Sequence, residues 1–387
     1  MVERRAIEIK KGASVAQDPA VAAAELHAAL AQPDASFALF YCSSEYDLDV
    51  LGRELATRFG SVPLIGCTAA GEIGPSGYLN GSLTGVSIAS SELRAVTARI
   101  DDVKSFELSR GEAIAARLLA ELGKSGVPPK GENTFGFLLI DGLSMREELV
   151  VSSLYRNLGD IQLFGGSAGD GTRFRQTHVY HEGAFRTDAA LFTLIQTSLP
   201  FTVFKTQHFV ASDDRMVVTE ADPERRIVTE INGVPAGREY ARMVGLEVDK
   251  LTPLIFSTYP VVVKVGGTDF VRSIQKVNED ESLSFFCAID EGIVLTVARG
   301  VDLVQNLEET FESVRASVGA PELVLGCDCI LRHLELDQRN IKPQVAEILA
   351  RNNVIGFSTY GEQYNAMHVN QTFTGVAIGA RGGGVPV

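Results

Sequence analysis

Short apolar runs alternate along this chain with stretches in which apolar side chains recur every three or four positions, and the alternation appears three times. Phe37 to Tyr41 reads as a strand, Leu48, Leu51, Leu55 and Phe59 as one face of a helix, and the run ending at Ile65 as a second strand. Phe135 to Ile140 is again strand-like. An Asp141-Gly142 turn follows, then a helical stripe through Met145, Leu149, Leu154 and Leu158, and a strand over Ile161 to Phe164. The third occurrence runs from Glu322 to Leu325, through Ile341, Val345, Ile348 and Leu349 at helical spacing, to Val354-Ile355. Each unit ends in a glycine-rich turn followed by an acid: Glu72, Asp170 and Glu362.

Further helices are predicted from Asp18-Pro19 through Leu26 and Leu30, from Ile114 to a Gly123 stop, and from Leu303 through Val318 to Gly319. Between about 200 and 245 the pattern changes to period two. Met216-Val217-Val218 and Ile227 to Ile231 read as strands, the second entering the hairpin dipeptide Asn232-Gly233, and more strands are expected over Val261 to Val265, Ser282 to Ile289 and Gly292 to Ala298. These elements predict an α/β fold built as two pseudo-repeated halves of strand–helix–strand units, over 1–198 and 246–387. A small β-rich segment over 199–245 bridges them and opens the second half.

The halves carry a direct signature of duplication. Residues 64–88 and 354–378 align without a gap, and nine of the twenty-five positions are identical. Both copies contain Ile-Gly, then Gly-Glu, then Thr-Gly-Val-x-Ile, and in each the glutamate precedes the later glycine by thirteen residues (Glu72 to Gly85, Glu362 to Gly375). Two related turns, each with a carboxylate, suggest one pocket built from two halves.

Composition narrows what such a pocket can serve. The 387 residues are 45% hydrophobic with a formal net charge of −14, so substantial cores can form and a basic surface for nucleic acid or anionic membrane is absent. Neither a signal-peptide core nor a membrane-length apolar run is apparent, which suggests a cytoplasmic protein. Five cysteines do not make a disulfide framework, and Cys327-Asp328-Cys329 is a weak zinc signal. No His-Glu-x-x-His motif occurs, and Gly165 to Gly171 lacks both P-loop and dinucleotide spacing, so neither an enzyme nor a nucleotide-binding protein is expected.

Leu64-Ile65-Gly66-Cys67-Thr68-Ala69-Ala70-Gly71-Glu72-Ile73 and Gly356-Phe357-Ser358-Thr359-Tyr360-Gly361-Glu362 resemble the FIST family of sensory proteins, and Val228-Thr229-Glu230-Ile231-Asn232-Gly233-Val234-Pro235 resembles the start of its C-terminal module. The stretch from Phe357 to Thr372 is similar to a haem-binding nitric-oxide sensor subgroup, NosP. That resemblance implies a stand-alone sensor holding haem b through a histidine, binding nitric oxide, and regulating a partner histidine kinase that feeds cyclic-di-GMP signalling. The family alone leaves a haem-free sensor of a small metabolite, such as an amino acid, as the alternative.

Of the six histidines, His27, His178, His181, His208 and His333 have neighbours that say little about a site. His368 lies inside the duplicated turn, six residues after Glu362, where the first copy has Tyr78 six residues after Glu72. The two should occupy equivalent places on the pocket halves, which makes His368 the expected iron ligand. Tyr78, Tyr364 and Asn370 are further candidates for the lining. Glu72 and Glu362 read either as pocket acids or as carboxylates that cap their own backbone turns.

Overall fold

The computed structural model describes residues 7–380. Three successive stretches repeat one element order. The first comprises β1 (Glu8–Ser14), α1 (Pro19–Leu30), β2 (Phe37–Ser43), α2 (Leu48–Phe59), β3 (Leu64–Ala69), a hairpin of β4 (Glu72–Gly74) and β5 (Gly77–Leu79), and β6 (Leu83–Ala89). The second comprises β7 (Leu93–Asp101), α3 (Leu108–Gly123), β8 (Thr134–Ile140), α4 (Glu147–Tyr155), β9 (Gln162–Ser167), a hairpin of β10 (Val179–His181) and β11 (Ala184–Arg186), and β12 (Ala189–Thr197).

The third opens with β13 (Phe201–Thr206) and is then interrupted by a β-rich insertion. That insertion contains β14 (Phe209–Asp222), β15 (Ile227–Ile231), β16 (Val234–Pro235), α5 (Ala236–Val244), α6 (Pro253–Thr258), β17 (Val261–Val265), β18 (Thr268–Arg272), β19 (Ile274–Val277), β20 (Leu283–Phe285) and β21 (Val294–Gly300). The third unit resumes with α7 (Leu303–Val318), β22 (Pro321–Cys329), α8 (Ile330–Gln338), α9 (Lys342–Arg351), β23 (Val354–Thr359), a hairpin of β24 (Glu362–Tyr364) and β25 (Met367–Val369), and β26 (Phe373–Gly379).

The α/β fold therefore carries three copies of its unit. Two keep matching turn sequences, and the middle one has diverged. The segment expected to bridge two halves is divided. Its first strand, β13, completes the third sheet, and the remainder opens an insertion that runs to Gly300.

Each unit builds a sheet with one parallel pair, β2/β3, β8/β9 or β22/β23, flanked by antiparallel strands. The hairpins do not stay with their own sheets. That of the first unit adds to β23, that of the third adds to β9, and that of the second adds to β3, so the sheet orders are β1-β6-β2-β3-β10-β11, β25-β24-β9-β8-β12-β7 and β13-β26-β22-β23-β4-β5. This cyclic exchange locks the units together through main-chain hydrogen bonds. The turns between strand and hairpin also bond across units: Ala70 N donates to Ser358 O at 2.9 Å, Ser167 N to Gly361 O at 2.8 Å and Gly169 N to Thr68 O at 3.0 Å.

The inner faces of the three sheets share one core, where Tyr41, Cys67, Phe137, Phe164, Cys327 and Phe357 are all buried. Tyr41 and Phe357, from different units, stack with ring centroids 4.4 Å apart. The helices cover the outer faces. They begin where the sequence supplies caps: the Asp18, Asp47 and Asp302 carboxylates accept from amides of the first turns of α1, α2 and α7. Asn232 and Gly233 both have positive φ, as the two-residue hairpin turn between β15 and β16 requires. Among the described residues no helix is long and apolar enough to cross a membrane.

Candidate functional site

The duplicated glutamates sit at equivalent places and do the same work. Ser82 donates to Glu72 Oε2 from its amide at 3.1 Å and its hydroxyl at 2.8 Å; Thr372, ten residues after Glu362, donates to Glu362 Oε2 at 3.2 and 2.7 Å. Thr359 also hydrogen-bonds Glu362 Oε1. Both carboxyls are buried and satisfied by their own hairpin turns, so the structure favours the turn-capping reading over the pocket-acid reading. Hairpin exchange places them on different sheets, Glu72 opposite Phe357 on β23 and Glu362 opposite Gly166 on β9.

Burial pushes both carboxyls up to about 8, against the hydrogen bonds that lower them. The folded protein then holds protons that the unfolded chain releases above about pH 4.5. Stability contributed by these groups is full below that value and is lost as pH rises toward 8. Unfolding free energies from denaturant titration are expected to fall between about pH 5.5 and 8.5, by on the order of 2–5 kcal/mol per carboxyl. Glu72→Gln/Glu362→Gln should flatten that profile, and an unchanged slope in the double variant would exclude these groups as its source.

Tyr78 and His368 occupy matching hairpin positions, opposite Ile73 and Gln363 respectively. Their hairpins join different sheets. Tyr78 donates to Asp328 and packs edge-on to His333 at 5.0 Å between centroids. His368 is buried against Gly361, where an added Cβ would lie 2.3 Å from the imidazole Cε1. Gln363 Nε2 lies 3.3 Å from His368 Nδ1, and with the amide in this orientation Nδ1 accepts and the ring proton sits on Nε2.

That Nε2, both amide atoms of Asn370 and Gln363 Oε1 are buried without hydrogen-bond partners. Burial lowers the His368 pKa, with Glu148 and Glu147 opposing, so the ring is neutral. Tyr364 lies on the same hairpin but is half-buried against the shared core, opposite Phe164. The other histidines have structural surroundings. His208 bridges Glu335 and Arg332, and His333 bridges Ser358 and Lys342. His27 packs edge-on to Phe59. His178 flanks β10 and His181 ends it, each half-buried with no hydrogen bond to Nδ1, that of His181 lying 3.7 Å from Glu182.

A cavity of about 390 Å³ opens close by, at the seam between the second unit, the insertion and the third unit's turn. Leu143, Met145 and Phe174 line it from the second unit, Arg225, Arg226, Gln275, Lys276 and Phe286 from the insertion, and Tyr360 from the turn before Glu362. Its volume lies within the range of small-molecule sites. Three of its non-glycine lining residues have left-handed backbones: Met145 (φ 57), Phe174 (φ 51) and Arg226 (φ 55). Such conformations are uncommon outside glycine and cluster at ligand sites.

Asp170 explains how Phe174 is held. Its carboxylate accepts from the amides of Phe174, Arg175 and Gln176 at 2.8, 2.8 and 3.0 Å and from the Tyr360 hydroxyl. Burial alone would raise its pKa, but the hydroxyl and the amides outweigh this and hold the carboxyl below its usual range. The third acid of the repeat is thus a loop organiser too.

Arg226 ties the insertion to α4. One guanidinium nitrogen lies 2.6 Å from both Glu147 and Glu148, and another donates to Phe286 O at 2.6 Å. Burial disfavours the Arg226 charge, yet Glu147 and Glu148 outweigh it and raise the pKa. Sequence reading missed Arg226, Phe174 and Phe286. The stretch Asp222-Pro223-Glu224-Arg225-Arg226 reads as a solvated turn, and only the fold reveals that its last side chain turns inward.

Among the described residues no group of three or more His, Cys, Asp or Glu could hold a metal ion. All five cysteines are free and buried, and burial pushes the thiols of Cys67 and Cys327 well up. A FIST N domain model matches residues 36–234 and a FIST C domain model matches residues 236–365. No curated protein matches the chain.

Proposed function

Because the chain belongs to the FIST family of signal-transduction sensor domains, we propose that it is a haem-free cytoplasmic sensor of a small polar metabolite, such as an amino acid. One observation carries the reading: the seam cavity is lined from both matched domains, with Phe174 and Arg226 from the first and Phe286 and Tyr360 from the second. A ligand there touches Arg226, whose ion pairs fasten the insertion to α4, so occupancy can bias how the insertion sits. Binding rather than catalysis is supported by the state of the repeated acids, which are saturated by their own turns.

The second reading is the haem sensor, in which nitric oxide at a His368-bound iron regulates a partner histidine kinase. The unpaired His368 Nε2 is the feature in its favour. The surroundings do not fit haem. Iron coordination through Nε2 would need the proton on Nδ1 and the Gln363 amide turned over, and the ring is sealed against Gly361. A haem also needs an apolar slot, whereas Gln363 and Asn370 adjoin the ring and Glu148, Arg226 and Arg272 act on it electrostatically.

A thermal-shift screen of metabolites, run beside haem reconstitution, separates the readings. A metabolite that raises the melting temperature in wild type but not in Phe174→Ala, with no Soret band after reconstitution, is the expected result. A Soret band whose ligation is lost in His368→Ala would overturn it.

A further inference from the structure

If the seam cavity is the sensor site, the reading on which this inference rests, its chemistry says more about the ligand than its volume does. One side of the cavity is aromatic and apolar. The Phe174 ring lies 4.6 Å from that of Tyr360 and 5.7 Å from that of Phe286, with Leu143 and Met145 beside them. An aromatic wall of this kind favours, among small polar metabolites, one that also carries a planar ring.

The charges are one-sided. Three cations, Arg225, Arg226 and Lys276, line the cavity against one acid, Glu224, on a chain whose net charge is −14. The Arg226 guanidinium is committed to Glu147, Glu148 and Phe286 O. Arg225 lies 4.0 Å from Asp222 and acts electrostatically on Asp280, and its side chain is 74% exposed. Lys276 is exposed and forms no ion pair among the described residues. Two exposed cations at the mouth of an aromatic-walled cavity can neutralise an anionic group while the walls take its ring.

We propose that the seam cavity takes a small organic anion with a flat apolar body, an aromatic or heteroaromatic carboxylate, with its ring against Phe174 and Phe286 and its carboxylate toward Arg225 and Lys276. The ring then rests between Phe174, in the loop organised by Asp170, and Phe286 of the insertion, while the acid engages the insertion alone. A single small molecule thereby bridges the seam that Arg226 already fastens.

The test is calorimetric titration of the full chain with three probes that share one ring: indole-3-acetate, indole-3-acetamide and tryptamine. The acetate is expected to bind at least tenfold more tightly than the neutral amide, and the amine more weakly still. Arg225→Glu/Lys276→Glu, both at exposed positions, should lower acetate affinity at least tenfold with an unchanged circular dichroism spectrum. Phe174→Ala should weaken all three probes.

Equal affinity for the three probes, or acetate binding insensitive to charge reversal, would overturn the proposal. If none of the probes binds but a polar metabolite such as glutamine raises the melting temperature in a Phe174-dependent way, the anion assignment fails and the sensor reading stands. If no compound acts through Phe174, both fail.

Discussion

Gly356→Ala is expected to cost on the order of 3–5 kcal/mol of folding stability, close to the whole margin of many domains. A Cβ at this position would lie 2.0 Å from Gly326 O and 2.8 Å from Gly326 C, both backbone atoms of the parallel partner strand. No rotamer change relieves that contact. The strands β22 and β23 must separate, and with them the seat of the β4–β5 hairpin. The same geometry recurs at Gly66 against Phe40 O (2.6 Å) and Gly165 against Leu138 O (2.1 Å), so each unit keeps a glycine where its parallel strands approach most closely. Gly245→Ala is the control. It is left-handed (φ 74, ψ 32) with open space around it, and should cost only about 1–2 kcal/mol. Denaturant unfolding of the two variants checks the comparison, and similar losses for both would refute the close-approach account.

Arg226→Met is expected to destabilise by about 3–5 kcal/mol, because it leaves two carboxylates at the first turn of α4 without their cation. Most of that loss comes from stranded charge rather than from the ion pairs' own worth. Arg226→Met/Glu147→Gln/Glu148→Gln should therefore recover most of the stability, since buried ion pairs are replaceable as a set. Recovery of stability without recovery of the ligand-induced melting shift would identify Arg226 as the link between cavity and α4. A single variant as stable as wild type would remove this account of the seam.

The parts of this fold that local chemistry dictates were open to sequence reading. The Ile65-Gly66 and Ile355-Gly356 strands, the Gly-Glu turns and the Asp caps follow from φ/ψ, hydrogen-bond and packing requirements of a few consecutive residues. The third copy of the repeat was half-visible. Gly165 and Asp170 keep their roles, but the middle hairpin comes after a longer connection in which Asp170 organises the loop, so its sequence no longer aligns with the other two.

Hairpin exchange left no local mark, because a three-residue strand pairs equally well with its own sheet or a neighbour's. That is why Tyr78 and His368 match by register yet lie in different places. Helix α8 was missed for a related reason. It continues directly from β22, and its buried face carries Arg332, His333 and Glu335, which a hydrophobic-period reading counts as solvent-facing.

Whether both domains build one ligand site at their seam can be measured directly. The chain contains no tryptophan, so Phe286→Trp places a single indole reporter at the cavity. Its emission is followed during titration with the compounds that raise the wild-type melting temperature. A shared site predicts a saturable change in emission at the concentrations that shift the melting temperature; emission that stays constant while the protein is stabilised would place the ligand elsewhere and contradict it.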